Sequence, residues 1–300
     1  MLTPKAIIEI GSNSIKFCVA QLIDNDHFLV IEDNVYITRI AENLSQTGLI
    51  STKAMKRNEQ TIKMLCQKAH ESGITDIAAV GTMALRKAKN ADVFIQNIKE
   101  QCHVSIQILS GDDEARLSYK AAMNTIPNIS GSCLVFDSGG GSTEFTFGSG
   151  NTITKNLSID IGAVYITEKY FPDNPIDSDK LFLAKQYILD QFQKNNLHKP
   201  IDQLIGLGGA ITTMAAVKQG LERYHSESIN GSILNRKDIQ DQIQNYASKT
   251  LDQRKTILGL QTGREDIILA GACIIDGIMD HLKCDQVTVC DRGLRYGLIA

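Results

Sequence analysis

Apolar and polar positions along this chain switch repeatedly between a period of two and a period near 3.6. That switching predicts alternating strands and amphipathic helices. Residues 5–20 and about 28–40 read as strands, with Asp24-Asn25-Asp26 as the turn. Ser51 or Thr52 caps a helix running to about Ser72; Met55, Ile62, Leu65 and Ala69 mark its apolar face, and Gly73 ends it. A short strand, Ile77 to Val80, follows, and then a helix capped by Asn90 that carries Val93, Phe94 and Ile98. A strand over 104–109 leads into a helix opened by Ser110-Gly-Asp112-Asp113-Glu114. Asn128 to Ser132 is a polar break and a candidate crossing between domains. Beyond it the pattern predicts a loop entering a helix at Ser158–Glu168 and a helix over Leu181–Phe192. A strand–glycine–helix passage follows at Leu204–Thr213, then helices over roughly 236–258 and 264–282, a strand at Val287–Cys290 and a short final helix from Asp291.

The most informative stretch is Leu134 to Glu144. An apolar run stops at Asp137, passes Gly139, Gly140 and Gly141, then Ser142 and Thr143, and resumes alternation at Glu144. This reads as strand, tight glycine loop, strand. Three glycines let the backbone approach a ligand closely and turn successive N–H groups toward an anion. An acid at the strand end suits Mg²⁺ shared with phosphate oxygens. A plain glycine-rich hairpin turn is the alternative. A second copy of the plan stands at Ile7–Val19, with Glu9, Gly11, Ser12, Asn13 and Ser14, offset by 128 positions. Two such hairpins predict two similar half-domains with a ligand between their loops. β-type residues follow both loops, which excludes the strand–loop–helix plan of Rossmann and P-loop sites.

Composition narrows the class. Three hundred residues, 43% apolar and 22% charged, allow about two domains with real cores. A net charge of −3 with no basic tail excludes general nucleic-acid coating. The seven cysteines form no CxxC pair and the six histidines show no ligand spacing, so a reducing, cytoplasmic setting fits. No run of about 18 apolar residues predicts a membrane span. Other chemistry is locally ambiguous. Arg86, Lys87 and Lys89 could clamp phosphate or form a solvated charge run. The acids at 112–114 complement a helix N-terminus, or one of them is a base. Gly206 to Gly209 is a tight β–α turn or an anion contact.

Taken in order and spacing, these motifs resemble the exopolyphosphatase / guanosine-pentaphosphate phosphohydrolase (Ppx/GppA) family, part of the actin-like superfamily. Similar to its signatures are Glu9–Ser14, Arg39–Leu44, Thr82–Asn90, Ser110–Tyr119, Asp137–Glu144, Gly206–Gly209 and Asp291–Gly297. The resemblance implies an α/β fold of two actin-like (ribonuclease H-like) domains with a cleft. The first would comprise 1–125 plus 291–300 and the second 126–290, in the short form without a C-terminal helical domain.

It also implies roles. Glu114 would be the catalytic base. Ser12, Asn13, Ser14, Arg86, Asn90, Gly139, Gly140, Gly141, Ser142 and Thr143 would bind phosphate. Asp137, Glu144 and Glu9 would hold Mg²⁺ or Mn²⁺. The substrate would be inorganic polyphosphate or guanosine pentaphosphate, and a homodimer is expected by family analogy. Glu9, Tyr165 and Tyr296 depart from the family pattern, which usually has Asp, Arg and Glu there. A non-catalytic phosphate or nucleotide sensor and a superfamily kinase are the competing classes; no acceptor site for a kinase is identifiable.

Overall fold

The computed structural model describes residues 3–23, 28–173, 175–197 and 200–299, so the expected turn at Asp24–Asp26 lies outside the described residues. The chain divides into two compact units: Met1–Leu117 with Leu294–Ala300, and Ser118–Gly293. The division falls inside the helix Gly111–Met123, upstream of the polar break at Asn128–Ser132.

In the first unit, β1 (Lys5–Ile10), β2 (Ser14–Leu22) and β3 (Phe28–Ile37) form an antiparallel meander. The strands β4 (Ile77–Gly81) and β5 (Ile106–Ile108) add in parallel, giving the order β3-β2-β1-β4-β5. The helix Thr52–Glu71 begins where expected: Ser51 is the N-cap, its side chain accepting from the Ala54 N–H at 3.1 Å. It buries Ala54, Ile62, Leu65 and Ala69, spaced to form one face, in a core with Ile8, Ile10, Ile15, Phe17 and Phe94. The last residues return to this unit. Leu294 packs with Val80 and Leu109. Arg295 donates to both oxygens of Asp33 at 2.9 and 2.7 Å, and the Tyr296 hydroxyl donates to the same carboxylate.

In the second unit, β6 (Cys133–Ser138), β7 (Thr143–Ser149) and β8 (Thr152–Ile159) repeat the meander. With β9 (Gln203–Leu207), β10 (Ile233–Asn235) and β11 (Gln286–Val289) the order is β10-β11-β9-β6-β7-β8. Read from β8, the first five strands repeat the connectivity of the first sheet, and β10 is an added antiparallel edge. The core gathers Phe136, Phe145, Phe147, Ile188, Phe192 and the nearly all-buried helix Ile268–Leu282. Phe145 and Phe192 meet edge-on at 5.7 Å, a geometry worth about 0.5–1.5 kcal/mol beyond area burial.

Several expectations need correction. The strand β8 fills a stretch to which the sequence assigns no element and runs into the loop expected to begin at Ser158. The helix expected over 236–258 breaks into Arg236–Ala247 and Leu251–Arg254, because Thr250 and Gln253 form a capping box that starts a new turn. The helix expected from 264 begins at Ile268. The strand expected to reach 40 stops at Ile37, and Arg39 then takes a left-handed conformation at φ 49°.

Candidate active site

The two glycine hairpins close with the same backbone bond. The Gly11 N–H donates to the Ser14 carbonyl and the Gly139 N–H to the Ser142 carbonyl, each at 3.0 Å. In the second unit the loop is fixed from behind. The first N–H groups of the helix Ala163–Tyr170 donate to the carbonyls of Gly139 (3.0 Å) and Gly140 (2.8 Å). A side chain at Gly162 would overlap the backbone of Gly140 and Gly141, so only glycine permits this approach. With the carbonyls turned to the helix, the N–H groups of Gly140 and Gly141 have no backbone acceptor among the described residues. Successive N–H groups left open in this way are the donor arrangement of an anion-binding nest.

Asp137 and Glu144 stand directly opposite each other in the β6–β7 register, so their side chains share one face. Ser118 donates to Asp137 at 2.8 Å and Ser158 to Glu144 at 2.9 Å. Gly208 lies against Asp137 at φ 102°, where a side chain would meet the Ser138 carbonyl and the Asp137 carboxylate. Gly208 and Gly209 open the helix Gly209–Gln219, and the Arg264 guanidinium rests on Gly209. Among the described residues the one side-chain hydrogen bond of Arg264 runs from Nε to the Gln261 side chain at 2.8 Å. Burial lowers this guanidinium to about 10.

Among the described residues no group of three His, Cys, Asp or Glu side chains gathers as a complete metal cage. The donor set nevertheless fits Mg²⁺, which takes one or two carboxylates and fills the remaining positions with water and phosphate. Asp137 and Glu144 provide that pair.

In the first unit Ser12, Asn13 and Ser14 are all buried. The Asn13 side-chain N–H₂ has no acceptor, a buried donor suited to a phosphate oxygen. Glu9 accepts from the Lys16 ammonium at 2.6 Å. Glu114, at the start of the helix Gly111–Met123, accepts from Arg86, whose same nitrogen also donates to the Leu109 carbonyl at 2.6 Å. The structure thus joins two expected site residues, Arg86 and Glu114, as an ion pair.

Two expected phosphate contacts are engaged elsewhere. Thr143 is fully buried and its hydroxyl donates to the Ile161 carbonyl at 2.6 Å, which leaves no proton for a phosphate. Asn90 clips a loop: its amide accepts from the Ile50 N–H and donates to the Ile50 carbonyl, both at 2.9 Å. Of the departures from the family pattern, Tyr165 shares a cluster with Tyr187 (hydroxyls 3.3 Å apart) and Lys169, whose ammonium is 3.2 Å from its hydroxyl. Tyr296 serves Asp33. Sequence reasoning passed over Ser118, Ser158, Arg264 and Lys16. Only Lys16 carried a usable signal, since it occupies the position 128 residues before Glu144.

These two sheets of repeated order, each with an acid and a phosphate-type loop, define an actin-like phosphoryl-handling protein. The profile of the Ppx/GppA phosphatase family matches residues 19–300, and the chain belongs to that family of phosphohydrolases. Exopolyphosphatase 2 of Mycobacterium tuberculosis is 24% identical, with 99% of this chain matched to 98% of that protein. The bifunctional 3-dehydroquinate synthase/phosphatase of Fusobacterium nucleatum is 29% identical over 98% of this chain, which spans only 46% of that protein. A guanosine-5'-triphosphate,3'-diphosphate pyrophosphatase of Vibrio atlanticus is 29% identical, matching 98% of this chain and 58% of its own length. The crystal structure of the Aquifex aeolicus Ppx/GppA family member superposes with a TM-score of 0.83 at 28% identity, covering 99% of this chain and 96% of that one. Among the described residues no helix is long and apolar enough to cross a membrane.

Proposed function

We propose that this chain hydrolyses the terminal phosphoanhydride bond of inorganic polyphosphate, releasing phosphate. The observation that carries the reading is the loop Gly139–Ser142. Its carbonyls accept from the helix Ala163–Tyr170, the N–H groups of Gly140 and Gly141 have no backbone acceptor among the described residues, and the strands it joins pair Asp137 with Glu144. Phosphoryl transfer calls mostly for positioning and charge neutralisation, and preorganised N–H donors supply both without reorganising during the reaction. In the proposed mechanism Glu114 accepts a proton from water as the water oxygen attacks the terminal phosphorus. The shortened polyphosphate leaves with the electron pair of the broken P–O bond. Arg86 orients the Glu114 carboxylate by donating to it. Asp137 and Glu144 would hold Mg²⁺, which would neutralise phosphate charge when bound.

A second reading, guanosine pentaphosphate as substrate, draws on one feature. A cavity of about 170 Å³, lined by Leu221, Tyr224, Gly259 and Gln261 among others, adjoins Arg264 through Gln261. Its lining is more polar than apolar and carries one aromatic ring, that of Tyr224, as a stacking surface for a base.

The test is a substrate panel of short and long polyphosphate, guanosine pentaphosphate, ATP and a phosphate monoester, with Mg²⁺ and with chelator. The expected result is phosphate release from polyphosphate that needs Mg²⁺; binding without release would instead favour a sensor. Glu114→Gln should lower turnover at least about a hundredfold with a smaller change in KM. Near-normal turnover in that variant removes Glu114 from the mechanism.

A further inference from the structure

Strand β6 divides its side chains between two faces. Leu134 and Phe136 enter the main core of the second unit, while Cys133 and Val135 pack with Tyr119, Ala122 and Ile126. The second half of the helix Gly111–Met123 therefore lies along the face that carries Cys133 and Val135. The period of two puts Asp137 next on that face. Ser118, one turn before Ala122 on the helix, is the residue that meets it. The serine is 2% exposed, and its hydroxyl donates to Asp137 Oδ2 at 2.8 Å.

Packing on both sides of Ser118 fixes where this hydroxyl stands. On one side Gly297 approaches so closely that a side chain there would overlap the Leu117 carbonyl. On the other, the buried Tyr119 hydroxyl donates to the Gly150 carbonyl at 2.8 Å. The carboxylate it holds is less constrained by itself. An aspartate turns about its last bond in a broad two-fold well, so its oxygens exchange places unless one of them is held. Ser118 has one proton to give and gives it to Oδ2. Oδ1 is then the oxygen above Gly208, where a Cβ would stand 3.1 Å from it and glycine places none.

We infer that Ser118 is a positioning residue for the divalent ion: by holding Asp137 Oδ2 it reserves Oδ1 as the ligand atom, and so sets the affinity of the Asp137–Glu144 pair for metal. This rests on the reading of Asp137 and Glu144 as the Mg²⁺ ligands. Partners of a metal ligand act in this way because they fix its orientation before the ion binds. Ser118 also lies four residues beyond Glu114 on the same helix face. One turn of one helix thus carries both the proposed base and the residue that orients the metal ligand.

The experiment uses the full chain and the variants Ser118→Ala, Ser118→Thr and Asp137→Asn. Mn²⁺ affinity is measured by electron paramagnetic resonance without substrate, and melting is followed in chelator. Phosphate release from polyphosphate is then measured against Mg²⁺ concentration. Ser118→Ala should bind Mn²⁺ roughly ten- to a hundredfold more weakly, the range for removing a partner of a metal ligand. Its half-saturating Mg²⁺ should rise by the same factor, while turnover at saturating Mg²⁺ returns to within about threefold of wild type. Ser118→Thr keeps the hydroxyl and should keep the Mn²⁺ affinity. A serine that only supports the fold would lower the melting midpoint and leave Mn²⁺ affinity unchanged. Wild-type Mn²⁺ affinity in Ser118→Ala, beside a loss in Asp137→Asn, overturns the role of Ser118 and leaves the metal site standing. Unchanged Mn²⁺ affinity in Asp137→Asn overturns the metal assignment on which the inference rests.

Discussion

Removing the Asp33 carboxylate should unlatch the chain's last helical turn from the first sheet. Arg295 is almost fully buried and donates to Asp33 Oδ1 and Oδ2 at 2.9 and 2.7 Å. Tyr296 donates to the same group, and its ring lies 4.8 Å from the guanidinium carbon. Asp33→Ala leaves a buried guanidinium without its counter-charge, a loss of about 3–5 kcal/mol for a fully buried pair. The Asp33 side chain is 22% exposed, so water answers part of that loss and the lower end, about 3 kcal/mol, is expected. In a unit of this size that lowers the melting midpoint by roughly 10 °C. Tyr296→Phe removes one hydroxyl and should cost about 0.5–1.5 kcal/mol. Because both act on one carboxylate, the double variant should lose less than the two single losses added together. The pH dependence has a definite sign. Burial alone would lower Arg295, but the Asp33 carboxylate outweighs it and holds the guanidinium above its ordinary value. A basic group raised in this way contributes stability that is complete below its unfolded pKa and lost only as pH climbs through the folded one. From pH 7 to 10 the gap between wild type and Asp33→Ala should therefore stay constant, as followed by calorimetric melting. A gap under about 1 kcal/mol, or one that closes by pH 10, would refute the latch.

Two further outcomes are open to measurement. Arg264→Met should melt no lower than wild type at pH 7, because burial lowers this guanidinium to about 10 and so works against its charged form in the fold. The same variant should raise KM for polyphosphate about tenfold; a fall in melting temperature with unchanged KM would mark Arg264 as purely structural. Burial pushes the thiols of Cys66, Cys273 and Cys290 up to about 12. At pH 8 roughly one in ten thousand is thiolate, so iodoacetamide should label them only on unfolding, and rapid native labelling read by mass spectrometry would contradict their placement.

The hairpins were legible because acid, glycine and small polar residues at a strand end have few other uses, and because the plan occurs twice. The Ser51 cap was legible for the same local reason. What escaped depends on partners distant in sequence. Thr143 sits inside the motif, yet its hydroxyl belongs to Ile161; Asn90 sits at a helix N-cap, yet its amide belongs to Ile50, 40 residues away. No local pattern says which carbonyl the fold will bring within reach. The strand β8 escaped because its residues Thr152–Ile159 mix polar and apolar side chains on partly exposed faces, and pairing with β7 supplies what the pattern lacks. The break at Ser248–Thr250 was readable in Thr250 and Gln253, but the apolar period running through it masked the capping box.

The repeat also explains how one backbone design carries two sets of side chains. Each loop is held from behind through its carbonyls. In the second unit the helix N–H groups of Ala163 and Val164 bond Gly139 and Gly140. In the first, the N–H groups of Thr38 and Arg39 bond the Asn13 carbonyl and that of Ala41 bonds the Ser12 carbonyl, with Arg39 in a left-handed conformation to make the reach. The buttress consists of main-chain bonds and does not depend on the loop's side chains. Those side chains are therefore free to differ, and they do: Ser-Asn-Ser with Glu9 and Lys16 in one unit, Gly-Gly-Ser with Asp137 and Glu144 in the other. A loop fixed before any ligand arrives loses little conformational freedom on binding, so its donors act at nearly full strength. The fold thus fixes the backbone of each loop, and the residue facing each acid across the strand pair, Lys16 opposite Glu9 and Glu144 opposite Asp137, sets the charge beside it.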